Sequence, residues 1–241
     1  MKVRGGANGY LGGVIGYSET PNNYLHSNIE NNVNVTGDLS TYTGGLIGYS
    51  KNQIVLDNFI NNGNINSNNS YVGGLIGYAA SNTTISNAYN NGEVSGDVLV
   101  GGLVGANNIT ISITSTVIIM NSYNSGKVSG KTRVAGLVGQ ASNVYIYYSI
   151  NFGNVSSSSN KMEIGGLVGT KNELINILVE DSYYTGTIKV NEVEVDGIDA
   201  GIKIHSNSID EKFFLETVSW DKYIWNLDDV DISNEIYPSL K

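Results

Sequence analysis

The chain reads as an all-β protein, a parallel β-solenoid of about six three-strand coils with a C-terminal cap, and three observations predict it. The first is composition. In 241 residues there are 30 glycines, two prolines, no cysteine and only 15% charged residues. Most of the rest is Asn, Ser, Thr, Val and Ile. β-Branched residues fit a pleated surface, while Gly and Asn supply tight turns. The second observation is a five-residue block that recurs six times, and the third is another block that recurs between its copies.

The first block runs Gly12 to Gly16 (GGVIG), Gly44 to Gly48 (GGLIG), Gly73 to Gly77 (GGLIG), Gly101 to Gly105 (GGLVG), Ala135 to Gly139 (AGLVG) and Gly165 to Gly169 (GGLVG), with starts 32, 29, 28, 34 and 30 residues apart. The second runs Asn61-Asn62-Gly63-Asn64-Ile65, Asn90-Asn91-Gly92-Glu93-Val94, Asn124-Ser125-Gly126-Lys127-Val128, Asn151-Phe152-Gly153-Asn154-Val155 and a looser Tyr184-Thr185-Gly186-Thr187-Ile188. Its first copy, at Asn31 to Val35, has Val33 in place of glycine. A fixed period of this length is the signature of stacked repeats. Each period holds three apolar stretches, exemplified by Val72 to Tyr78, Thr84 to Asn90 and Gly92 to Ser95. Coils of this kind stack about 4.8 Å apart through parallel backbone hydrogen bonds.

Stacking turns each repeated position into a column. Gly63, Gly92, Gly126, Gly153 and Gly186 are expected in a left-handed backbone conformation that disfavours a Cβ. Asn61, Asn90, Asn124 and Asn151 are expected to form an amide ladder. Two adjacent columns, Leu46-Leu75-Leu103-Leu137-Leu167 and Ile47-Ile76-Val104-Val138-Val168, are both apolar, although strand alternation would place them on opposite faces. Either the double glycine bends the chain so that both point inward, or one column is an exposed stripe. Insertions at Ile109 to Met120 and Ser156 to Glu163 read as loops or lengthened strands.

The pattern decays after Gly186. Residues 1–190 are therefore read as the solenoid and 191–241 as a non-repetitive cap, with Trp220 and Trp225 as its plug, because a stack must cover its last apolar layer. Residues 1–16 hold no apolar core like that of a signal peptide, and no run is long enough to span a membrane, so an export signal is expected upstream.

The GGL[IV]G blocks with N-x-G-x-V between them resemble the GLUG motif repeat, over about residues 5 to 190. Ser219 to Asn226 and Tyr237 to Leu240 are similar to the segment that closes many such arrays. Val14, Ala135 and Val33 depart from the pattern. The resemblance implies a secreted or cell-surface bacterial protein of the kind found in adhesins and in non-catalytic regions of immunoglobulin A1-specific metallopeptidases. It carries over no ligand.

Chemistry is sparse. His26 and His205 lack the spacing of a zinc peptidase, and serines such as Ser50 and Ser81 have no histidine nearby in sequence. Asp57, Glu93 and Asp97 form no column suited to glycoside cleavage. Asp228, Asp229, Asp231 and Glu235 are the best calcium donors, but a solvated acidic turn explains them more simply. The sequons at Asn34, Asn68, Asn82, Asn108 and Asn154 are what such a composition yields by chance. Tyr17, Tyr49 and Tyr78 could stack as a platform for sugar rings, but their face is expected to be that of the core, which favours packing. The net charge of −9 disfavours nucleic acid and anionic membranes. The reading names no catalytic, cofactor-binding or metal-ligating residue. It expects a non-catalytic extracellular segment, adhesin-like or a structural stalk, whose partner would be a host protein or a glycan. The alternatives are an accessory substrate-positioning region of a secreted metallopeptidase and a glycan-binding module.

Overall fold

The computed structural model describes residues 2–4, 9–19, 24–38, 41–107, 115–159, 163–170, 176–198, 201–205 and 208–241. It is a parallel β-solenoid of about five turns. The third coil is representative, with strands Val72–Gly73, Ile76–Ala79, Thr83–Ser86, Tyr89–Asn90 and Val94–Ser95. The three apolar stretches are all strand, but two of them are bent in the middle, which divides the coil into five short strands distributed over four sheets. The coils pair in register: Val72 with Val100, Ile76 with Val104, Ile85 with Ile119, Asn90 with Asn124 and Val94 with Val128. One sheet holds six strands, from Tyr10–Gly12 to Ile164–Gly165, one for each copy of the glycine block.

The double glycine makes the first bend, and its two members are needed for different reasons. A Cβ on Gly73 would lie 2.0 Å from the carbonyl oxygen of Ile76 in the same bend. A Cβ on Gly74 would lie 2.0 Å from the carbonyl oxygen of Gly102 in the next coil. The bend interrupts alternation, so both apolar columns point inward: Leu46, Leu75, Leu103, Leu137 and Leu167 are fully buried, as are their Ile and Val neighbours. There is no exposed leucine stripe.

A second bend lies three residues before the asparagine ladder. There the chain takes a left-handed conformation at Asn28, Asn58, Asn87, Asn121, Tyr148 and Asp181, with φ between 43° and 60°. This corrects the expectation for the glycines of the N-x-G-x-V block, because among the described residues no glycine has positive φ. Those glycines answer to close approach instead. A Cβ on Gly92 would meet the carbonyl oxygen of Gly63 at 2.0 Å. Asparagine suits the corner because its short polar side chain tolerates αL better than most.

The amide ladder runs through the stack as expected. Nδ2 of Asn31, Asn61, Asn90 and Asn124 donates to Oδ1 of the asparagine in the next coil at 2.6, 2.6, 2.7 and 2.8 Å. Each amide also donates to the carbonyl two residues on, as Asn90 does to Gly92 at 2.7 Å. Ser122, Ser149 and Ser182 form a parallel hydroxyl column beside the corner; Oγ of Ser149 accepts from the Ser122 amide and donates to the Tyr147 carbonyl.

The C-terminal segment departs from the expected plug. Ile202–Lys203 first adds to the stack beside Tyr183–Tyr184, and Val193–Glu194 turns back antiparallel on Ile188–Val190. The chain then doubles back along the side of the solenoid. Phe213 meets Tyr183, and Trp220 Nε1 donates to the Tyr148 carbonyl at 2.7 Å. Trp225 packs against Tyr123 and Tyr89, and the Tyr123 hydroxyl donates to the Pro238 carbonyl at 2.6 Å. Leu240 and Lys241 end beside Asn28, Ile29, Asn58 and Ile60 of the first two coils. The tryptophans thus seal a lateral core of Tyr89, Tyr123, Ile150, Phe152, Phe214 and Val218, separate from the apolar interior of the coils. The outward-facing aromatic and apolar residues of the long sheet explain this path, since they present a second surface that water would otherwise cover.

Candidate functional site

Two outer surfaces gather aromatic and polar side chains on the exterior of the coils. The first is a wall of tyrosines on the first three coils. Across the third glycine of each block the alternation resets: Ile76 and Ala79 are buried, while Tyr78 between them faces outward. Tyr17, Tyr49 and Tyr78 therefore stack on the outside, not on the core face where sequence placed them. Their ring centroids are 5.4 Å apart with interplanar angles of 9° and 20°. A second column, Tyr10, Tyr42 and Tyr71, lies beside it, with centroids 5.4 and 4.9 Å apart. The two columns interlock edge to face, as at Tyr71 and Tyr78, 5.2 Å apart at 88°. Sequence reasoning missed the second column, although its signal was present: tyrosine stands two residues before the double glycine in the first three copies.

This packing covers the faces of the inner rings with other rings, while Tyr10 and Tyr17 at the end of the wall stay 44% and 40% exposed. Burial holds the Tyr42 and Tyr49 phenols above their ordinary range, with neighbouring phenols adding to the rise. For Tyr17 burial is again the first cause and Glu19 the second; Glu19 itself pairs with Lys51. In later coils the same positions hold Leu99, Arg133 and Glu163, and Arg133 bonds Gln140 at 3.1 Å and pairs with Glu163 at 3.5 Å.

The second surface is a cleft of about 830 Å³ between the N-x-G-x-V wall and the returning tail. Asn91, Glu93, Ser125, Lys127 and Asn154 line the solenoid side, Gly126 and Gly153 the floor, and Glu235 to Ser239 the opposite lip. Tyr237 leans on Phe152, with centroids 5.1 Å apart, and burial together with Glu235 raises its phenol above the ordinary range. Glu235 closes a short helical turn at φ 59°, and Ile236 beyond it is 48% exposed.

The other residues singled out from sequence are dispersed. Asp57 accepts from Ser86 and Asn87, both at 2.8 Å, and Asp97 pairs with Lys131 at 2.6 Å. Glu93 lines the cleft. Asp231 is spent on capping the turn, accepting from the Ser233 and Asn234 amides. Hydrogen bonds from those residues hold its carboxyl below the usual range. His205 is exposed near the tail and His26 lies in Tyr24–Asn31, with its side chain outside the described residues. Asn108 and the start of the Ile109 insertion also lie outside the described residues, whereas Thr116–Met120 is a regular strand of the stack. Among the described residues no group of three or more His, Cys, Asp or Glu converges as a metal site, and no helix is long and apolar enough to cross a membrane.

Residues 68–95 match the family model of the GLUG motif, and they span the third coil from the turn before Val72 to Ser95. No curated protein matches the chain. Among solved structures, a candidate immunoglobulin A1 protease from Bacteroides ovatus has the same fold over 100% of this chain and 73% of its own, with a TM-score of 0.68 and 20% identity. The chain is therefore a repeat protein carrying the GLUG motif, and the register of its ladders sets the same residues at equivalent corners of the coils on either side.

Proposed function

We propose that this chain is a non-catalytic extracellular repeat segment of a larger bacterial surface protein, adhesin-like or a structural stalk. One observation carries the reading: the residues that recur are consumed by the fold itself. The ladder asparagines bond one another, and the block glycines make room for neighbouring backbones. What faces outward varies from coil to coil, as in solenoids that present extended binding surfaces. The tyrosine wall supports a protein partner, since amphipathic, rigid rings are over-used where proteins meet. The likeness in fold to the candidate immunoglobulin A1 protease supports a second reading, that of an accessory region placing substrate for a catalytic domain.

The test is a binding screen of the purified chain on immobilised host matrix proteins and immunoglobulin A1. Saturable binding to a matrix protein, weakened by Tyr49→Ser, is expected from an adhesin. Binding to immunoglobulin A1 alone would favour the accessory reading, and no saturable binding to any of them would overturn an adhesive role and leave the stalk.

A further inference from the structure

From the cleft between the tail and the N-x-G-x-V wall we infer a binding site for a short uncharged saccharide. The inference goes beyond the stalk or adhesin reading and does not depend on the tyrosine wall. At about 830 Å³ the cleft is within the range of small-ligand sites, roughly 300–1,000 Å³.

Its chemistry selects the ligand. The solenoid side offers the exposed Glu93 carboxylate, the Lys127 ammonium and the amide nitrogen of Asn154, and the lip adds Glu235; Ser125 donates to Asn91 and Asn91 to Asn62, so these two border the cleft as part of the exposed ladder. Carboxylates and amides hydrogen-bond adjacent hydroxyls in pairs, and Tyr237, half-buried against Phe152, gives an aromatic surface for the apolar face of a ring. Exposed Ile236 extends that apolar lip.

The competing ligands fit less well. Two carboxylates against one ammonium disfavour an anion. A peptide strand would need a free sheet edge, but the floor's backbone is already paired between coils: the Ser125 amide donates to the Asn90 carbonyl and the Phe152 amide to the Asn124 carbonyl, both at 2.8 Å. With the backbone occupied, recognition falls to side chains and to a floor kept low by Gly126 and Gly153. That arrangement suits a flat, hydroxyl-rich ring.

The test is a glycan array of neutral, acidic and sulfated saccharides, followed by titration calorimetry of the best neutral hit. Variants Glu93→Gln, Tyr237→Ala and Tyr49→Ser would be titrated beside the parent chain. Tyr237→Ala is expected to weaken binding on the order of tenfold or more, as loss of an aromatic anchor does. Glu93→Gln, exposed and unable to perturb packing, should weaken it several-fold, and Tyr49→Ser should bind like the parent. The inference is overturned by the absence of any neutral hit, by hits confined to acidic or sulfated glycans, or by a neutral hit that Glu93→Gln leaves unchanged.

Discussion

Asparagine serves this protein in two positions three residues apart, for opposite reasons. At Asn90 the amide is fully buried, takes a hydrogen bond from Asn61 and gives one to Asn124 as well as to the Gly92 carbonyl. At Asn87 the residue bends the backbone through φ 49° and bonds Asp57 at the surface. Replacing Asn90 by Ala strands the donor of Asn61 and the acceptor of Asn124, each costing about 1–3 kcal/mol when left buried. Asn90→Ala should therefore lower stability by roughly 3 kcal/mol, read as a drop in the urea midpoint. The exposed parallel ladder, in which Asn62 bonds Asn32 and Asn91 at 2.9 and 2.8 Å, is a control. Asn62→Ala should shift stability by no more than about 0.5 kcal/mol.

At the scale of elements, the solenoid strands were legible in the sequence and the tail was not. Each coil repeats the same steric demand, so the glycine blocks and the N-x-G-x-V blocks announce themselves at matching intervals. The two bends were harder to read. Leu75 and Ile76 could both be inward only if Gly73 and Gly74 broke the strand, and period-two alternation has no way to signal that. The tail has no period. Its partners Tyr89, Tyr123 and Phe152 occupy positions that look like further wall, so sequence sends Trp220 and Trp225 to the end of the stack and not to this lateral face.

The phenols that meet the tail suggest its own prediction. Burial, with Glu30 second, pushes Tyr89 up to about 12. The fully buried Tyr123 is raised well above its ordinary value of 10.0, again chiefly by burial. A phenol raised in the folded state favours folding below its unfolded value, and that contribution is lost as pH climbs through the folded value. The tail should thus stay docked up to about pH 10 and loosen as pH rises through 12. The urea midpoint followed by tryptophan fluorescence should therefore fall as pH rises above about 10, and a midpoint that is constant from about pH 8 to 12 would contradict the burial of these phenols under the tail.

Over the whole molecule, each coil touches only its neighbours, so stability is a sum of coil and interface contributions. Interior coils have two interfaces, and the tail adds a lateral one that runs from Tyr183 past Tyr148, Tyr123 and Tyr89 to Asn58 and Asn28. Backbone amides of Ile85, Ile119 and Ile146 should exchange hydrogen most slowly, while those of Ile15 to Ser18, on a coil with half-exposed Tyr10, Val14 and Tyr17, exchange fastest. Uniform exchange across all coils would argue against this one-dimensional picture.

The returning tail has a mechanical consequence. Lys2–Arg4 pairs with Asn34–Gly37 of the first coil, and Lys241 comes to rest beside Asn28 and Asn58 of the first two. Both ends of the segment are thus at one end of the rod. A pull applied through them would load the tail's seam and the first coils and leave the far coils slack.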